Sequence, residues 1–215
     1  MSATPHHQGA QRRIGLTGGI ASGKSSVGRY LAAHRLPVLD ADRYAHDALA
    51  PGSPASETVL DRYGAQVEAD TTSQNATASP VNRSINRRAL GQIVFNNPSE
   101  RRWLEQLVHP LVRERFDQEL RQHRQAEAVV LMIPLLFEAG LSGLCSEIWV
   151  VNCTPEQQLE RLQQRNGLDD AAARARIQAQ WPLSEKCKLA DLVLDNRSQP
   201  ERWQTQIRAQ LDQLG

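Results

Sequence analysis

Cysteine, lysine, aromatic side chains and long apolar runs are all scarce in this chain, and each scarcity excludes something. There are three cysteines in 215 residues (Cys145, Cys153 and Cys187), an odd number with no CxxC pair. That argues against a disulfide framework or a zinc site and for a reducing compartment. Aromatic residues make up 5% of the chain, and the longest apolar stretch, VVLMIPLLF, is far short of a membrane span. MSATPHHQGAQRR at the start has no apolar segment of the kind a secretory signal needs. It reads as a disordered tail over 1–12, and the expected location is cytoplasmic. The net charge of +1 gives no ground to expect a nucleic-acid or membrane partner. Within that balance the basic residues are lopsided: 22 of 25 are arginine. An arginine-rich surface suits phosphate ligands, although a compositional habit of the lineage explains it equally well.

Short apolar runs bounded by turn residues are plentiful. RIGLTG, LPVLDAD, AVVLMIPLLF, EIWVVN and DLVLDN each read as a buried strand, with helical stretches between them. Strands apolar on both faces suit a parallel sheet covered by helices. The predicted architecture is α/β: a five-stranded parallel sheet of the phosphate-loop NTPase type, flanked by helices. Its core is expected at 13–42, 128–160 and 189–215. Residues 43–127 have helical periodicity and no convincing strand, and read as a helical insertion. Within them ADTTSQNATASPVNRS is nearly devoid of apolar residues and reads as a loop. Pro110 is expected to interrupt the apolar stripe Leu104–Phe116 and to open a new helix, leaving His109 just outside it. Further on, PEQQLERLQQRNGLDDAAARARIQAQW reads as two helices broken at Asn166–Gly167.

GGIASGKS, Gly18 to Ser25, fits G-x-x-x-x-G-K-[ST] between a strand and an amphipathic helix. Glycines let successive backbone N–H groups turn inward around phosphate oxygens, and the helix N-terminus adds its positive dipole end. Gly19, Ile20, Ala21, Ser22, Gly23, Lys24, Ser25 and Ser26 are the candidates to hold a nucleoside triphosphate. Lys24 would reach the β- and γ-phosphates and the Ser25 hydroxyl would ligate Mg²⁺. Neither Lys186 nor Lys188 lies in an N/T-K-x-D guanine motif, which weighs against a GTPase. VVLMIPLLFE ends in no aspartate and offers only Glu138, which weighs against an ATP-driven machine. Small-molecule kinases remain. LPVLDAD places Asp40 and Asp42 at a strand's carboxyl end, on one face by alternation, where one could accept a hydroxyl proton while the other orients it or a Mg²⁺ water. Asp42 also makes a good N-cap for the helix that follows, an explanation Asp40 lacks.

The ordered set LTGGIASGKSS, VLDAD, LGQIVF, LEQLVHP, IPLLFE, QLERLQQRNG, RIQAQ and ADLVLDN resembles the dephospho-CoA kinase family from Arg13 to about Asn196. The resemblance implies ATP- and Mg²⁺-dependent phosphorylation of the ribose 3′-hydroxyl of dephospho-CoA, a small-molecule partner, and a monomer or small homo-oligomer. It makes 43–127 an acceptor-binding domain and 161–188 a lid, and it adds site candidates. Arg161 and Arg165 in the lid would meet the transferring phosphate, or else form a solvated stripe. Asn196 would contact adenine or cap a turn. Arg87, His109, Leu135, Leu136, Phe137 and Glu138 would face the acceptor; His109 could instead shape a helix junction and the three apolar residues could be sheet core. Ala21 and Ser26 stand where glycine and threonine are frequent in the family, and Asn86 where it usually has aspartate. Two rivals stay open: another nucleoside or nucleotide kinase of this fold, and a slow nucleotide-binding regulator.

Overall fold

Each of the five apolar runs supplies one strand. The computed structural model describes residues 11–69 and 83–212, so nearly all of the expected tail and most of the polar loop 69–84 lie outside the described residues. The strands are β1 (Arg12–Gly18), β2 (Val38–Asp40), β3 (Ala128–Met132), β4 (Glu147–Asn152) and β5 (Leu192–Asp195). They form one parallel sheet in the order β2-β3-β1-β4-β5. From β1 the chain crosses to the edge at β2 and returns to β3 beside β1; after β3 it crosses to β4 on the other side of β1. The carboxyl ends of β1 and β3 therefore flank the switch point where open α/β sheets bind ligands.

Alternation along the strands sorts the core. Ile14, Leu16, Ala128, Val130, Met132, Trp149, Val151 and Leu194 form one cluster with Val27 and Leu31 of α1 (Lys24–Ala33) and with Trp203 and Ile207 of α9 (Glu201–Leu211). Their neighbours Val129, Leu131 and Val150 point to the other face and are also fully buried. Every position of β3 is buried, as a central strand covered on both sides requires. The strand is shorter than its apolar run. Its last rung is Ile133 N–H to Leu16 C=O, and Pro134, with no N–H to offer, turns the chain away.

By contacts the chain separates into two units, 1–41 with 120–215, and 42–119. The second border falls inside the last turn of a long helix rather than after it. The helical unit is built from α2 (Ala41–Ala48), α3 (Pro54–Tyr63), α4 (Arg87–Asn96) and α5 (Pro98–Gln122). Among its described residues the only strand-like pairing is an isolated bridge, Glu68 to Ile85. Pro110 does not break α5, and His109 lies within the helix. A proline inside a helix costs about 3 kcal/mol. Against it, Val108, Val112, Phe116 and Leu120 recur every fourth residue and are all buried, each contributing roughly 1.5–3 kcal/mol. Burial outweighs the missing hydrogen bond.

In the sheet unit α6 (Pro155–Asn166) opens on a capping box of Thr154 and Gln157. It closes on Gly167 in the left-handed region, φ 62°, where glycine escapes the Cβ clash. Asp169 then caps α7 (Asp170–Gln178), so the helix pair breaks where the sequence places the break. α8 (Leu183–Lys188) leads into β5.

Candidate functional site

The loop after β1 is held from three directions. Ser22 N–H bonds Gly19 C=O at 3.1 Å, closing the turn. The Ile20 N–H donates to Gln180 Oε1 and the Ile20 C=O accepts from Gln158 Nε2, each at 2.8 Å. The Asn196 side-chain amide donates to Ser22 C=O, also at 2.8 Å. Between these anchors Ala21 sits at φ 60°, a left-handed conformation that costs a non-glycine residue roughly 1–2 kcal/mol. Glycine at this position would adopt it freely; alanine is held there by the bonds on either side. Gly23 is required as glycine twice over: its φ is 103°, and a Cβ there would lie 2.2 Å from Asn196 Nδ2. α1 starts at the next residue with no side chain capping it. Its N-terminus, with Lys24 half-buried and Ser25 and Ser26 exposed, has the composition of an anion site. Ser26 Oγ accepts from Arg29 Nη2 at 3.2 Å.

Asn196 thus serves the loop itself, and it also accepts a hydrogen bond from Arg161. Arg161 Nη2 donates to Asn196 C=O at 3.3 Å, while Arg161 Nη1 is buried with no partner among the described residues. A buried guanidinium N–H without an acceptor is costly unless a ligand oxygen completes it, and a phosphate oxygen would. Arg165, one turn on, is exposed and donates through Nε to Asn166 Oδ1 at 2.9 Å. The two arginines of the expected pair therefore stand in different environments.

At the carboxyl end of the sheet's edge strand, Asp40 is the last residue of β2, in register with Met132. α2 begins at Ala41, so Asp42 lies inside the first helical turn, not ahead of it. The expected strand alternation that puts both carboxylates on one face does not extend to Asp42, nor can Asp42 be the N-cap. Of the three apolar residues after Pro134, Leu136 is completely buried and stands beside Gly15, so it is core and not a ligand-facing wall. Leu135 is exposed, and Phe137 stacks parallel to Trp181 with centroids 6.2 Å apart.

Glu138 is built into the fold. Its Oε1 pairs with Lys186 Nζ at 2.7 Å and accepts the Trp181 N–H at 3.0 Å; its Oε2 is buried with no partner among the described residues. Lys186 is fully buried and also donates to Pro134 C=O at 3.3 Å, an oxygen shared with Thr17 Oγ1 at 3.1 Å. These acceptors offset the cost of burying the lysine head group.

The remaining candidates belong to the helical unit. Arg87, the first residue of α4, is exposed and donates through Nη2 to the C=O groups of His46 (2.9 Å) and Leu49 (3.2 Å). It stitches α4 to the end of α2. Asn86 caps α4, accepting the Ala89 N–H at 3.1 Å, which asparagine does as well as the aspartate it replaces. His109 is exposed on α5. The unit also has an open hollow of about 420 Å³ lined by Tyr44, Ser53, Pro54, Leu111, Arg115 and Gln118, among others.

No cysteine is poised for nucleophilic chemistry. Burial pushes the Cys145 thiol up to about 12 and the Cys153 thiol up to about 11, and it raises Cys187 as well. Among the described residues no group of three His, Cys, Asp or Glu could hold a metal ion. A cation here would need oxygen ligands from a bound phosphate in addition to Ser25.

Gln158, Gln180, Trp181 and Lys186 escape a sequence reading because nothing local marks them. The one usable signal is Gln158, which shares the buried face of α6 with Leu162 four residues on.

Comparison with known proteins agrees with this geometry. The model of the dephospho-CoA kinase family matches residues 12–201. The dephospho-CoA kinase of Synechococcus sp. strain CC9605 is 61% identical over 199 residues, covering 93% of this chain and 91% of its own. That of Gloeobacter violaceus is 48% identical, covering 95% and 93%. Among solved structures, a Thermus thermophilus protein superposes with a TM-score of 0.78 at 34% identity, over 96% of this chain and 99% of its own. Dephospho-CoA kinase from Campylobacter jejuni gives 0.65 at 26%, over 94% and 96%. With a braced phosphate loop at the switch point and a family match across nearly all of both units, the chain belongs to the dephospho-CoA kinase family.

Proposed function

We propose that this chain phosphorylates the ribose 3′-hydroxyl of dephospho-CoA from ATP, giving CoA and ADP. The observation that carries the reading is the loop Gly18–Ser25, fixed in an anion-binding shape, with the unpartnered Arg161 Nη1 on the helix that braces it. The loop N–H groups and Lys24 hold the donor phosphates, and Arg161 Nη1 meets the oxygens of the group in transit, where charge spreads in the transition state. Asp40 accepts the 3′-hydroxyl proton as the new O–P bond forms and the bond to the ADP oxygen breaks. Ser25 Oγ would hold Mg²⁺ together with phosphate oxygens, and the ion would supply charge neutralisation there. The helical unit, with its open hollow, is the acceptor-binding part. Asp42, Arg87 and His109 are that unit's candidate contacts to the acceptor.

The test is ADP release with ATP and Mg²⁺, before and after adding dephospho-CoA. Release that begins only with the acceptor, and falls 10²–10³-fold in Lys24→Ala with the fold intact, agrees with the proposal. Steady release without acceptor, unchanged on adding it, would support a nucleotide-binding regulator instead.

A further inference from the structure

α6 buries only two of its side chains, and one of them is polar: Gln158, 5% exposed. Its amide Nε2 donates to Ile20 C=O at 2.8 Å, close enough to the loop that a Cβ on residue 19 would lie 2.4 Å from it. Arg161 follows at i+3, on the same helix face. Its Nη2 bonds Asn196 C=O, and Asn196 in turn holds Ser22 C=O. α6 is thus attached to the phosphate loop at two points, directly at Ile20 and through Asn196 at Ser22. They lie on either side of Ala21, whose left-handed backbone gives the loop its bend.

We infer that Gln158 is a positioning residue for phosphoryl transfer: it registers α6, and with it Arg161, against the loop that holds the donor phosphates. The inference rests on the proposed role of Arg161. An arginine on a long, flexible stem aims accurately only if its helix is fixed relative to the phosphates, and errors on the order of 1 Å cost about 10²-fold in rate. Gln158 supplies that fixed point at a single peptide oxygen. Gln180 Oε1 accepts the N–H of the same residue, so the Ile20 backbone is held on both sides.

The experiment is a double-mutant cycle on the full chain, with initial rates over both substrates and thermal unfolding in parallel. Gln158→Met keeps the volume and removes the donor. It should lower kcat roughly 10–100-fold, leave KM for dephospho-CoA within about threefold, and move Tm by only a few degrees. Arg161→Ala should cost about 10²–10³ in kcat. The decisive result is the pair: Gln158→Met in the Arg161→Ala background should cost no more than about threefold further, because the residue it positions is gone. Losses that multiply, or a lowered Tm with wild-type kcat, overturn the inference and leave Gln158 a structural residue. Should Gln158→Met fail to fold, Gln158→Asn, one methylene short of Ile20, is judged by the same cycle. If wild-type enzyme does not turn over dephospho-CoA at all, the functional proposal fails and takes this inference with it. Active wild type with independent effects sinks this inference alone.

Discussion

Replacing Lys186 by methionine is the most informative single perturbation of the fold. The ammonium is fully buried, lies 2.7 Å from Glu138 Oε1, and has Pro134 C=O as its second acceptor. Methionine fills nearly the same volume, so no cavity term enters. Glu138 is left with the Trp181 N–H as its remaining described donor and with an Oε2 that already had none. Breaking a buried pair from one side costs on the order of 3–5 kcal/mol, since the surviving charge loses its compensation. For a domain of this size that corresponds to a fall in Tm of roughly 6–20 °C. Lys186→Met with Glu138→Leu removes both charges and should recover most of the loss, because desolvation of the pair is then no longer required. Urea unfolding of the wild type, both single variants and the double variant gives the four free energies. A Lys186→Met variant within about 1 kcal/mol of wild type would refute the reasoning, as would a double variant no more stable than the worse single.

Arg35, two residues past the end of α1, sits at φ 65°, with its N–H on Ala32 C=O and the Leu36 N–H on Leu31 C=O. This C-terminal hydrogen-bond pattern favours glycine, so Arg35→Gly should stabilise the chain by about 0.5–1 kcal/mol in chemical denaturation. Hydrogen bonds from Arg197, opposed by desolvation, hold the Asp195 carboxyl well below its usual 3.8, at about 2. Its contribution is therefore complete above about pH 4 and lost as the pH falls toward 2. With both arginine partners more than half exposed, that contribution is about 1 kcal/mol; it should be missing from Asp195→Asn at pH 5 and indistinguishable from wild type near pH 2. Native enzyme at pH 7.5 should react with iodoacetamide far more slowly than the unfolded chain, because all three thiols are raised by burial. Equal rates by mass spectrometry would contradict the burial.

What the sequence conveys well is what is encoded locally. Strand cores such as EIWVVN, the phosphate-loop spacing and the Asn166–Gly167 break each combine periodicity with a turn residue, so a short window suffices. Pro110 misleads because its helix is decided by an apolar stripe running on both sides of it, and tertiary burial overrides the local penalty. Asp42 misleads by position: the helix begins two residues after Leu39, so strand alternation stops at Asp40. Gln158 and Gln180 meet Ile20 across 138 and 160 residues, and Lys186 reaches Pro134 across 52. Such partners are chosen by the sheet order, and no window of sequence contains both ends.

Phosphorus NMR of the product from the full chain, ATP, Mg²⁺ and dephospho-CoA tests the central claim most directly. Transfer to the ribose 3′-oxygen predicts one new phosphomonoester resonance, coupled to the ribose H3′ and rising in step with ADP; the Asp40→Asn variant should form it roughly 10²–10⁴-fold more slowly. Inorganic phosphate in place of that resonance, or a phosphate coupled to any other position of the acceptor, would contradict the account.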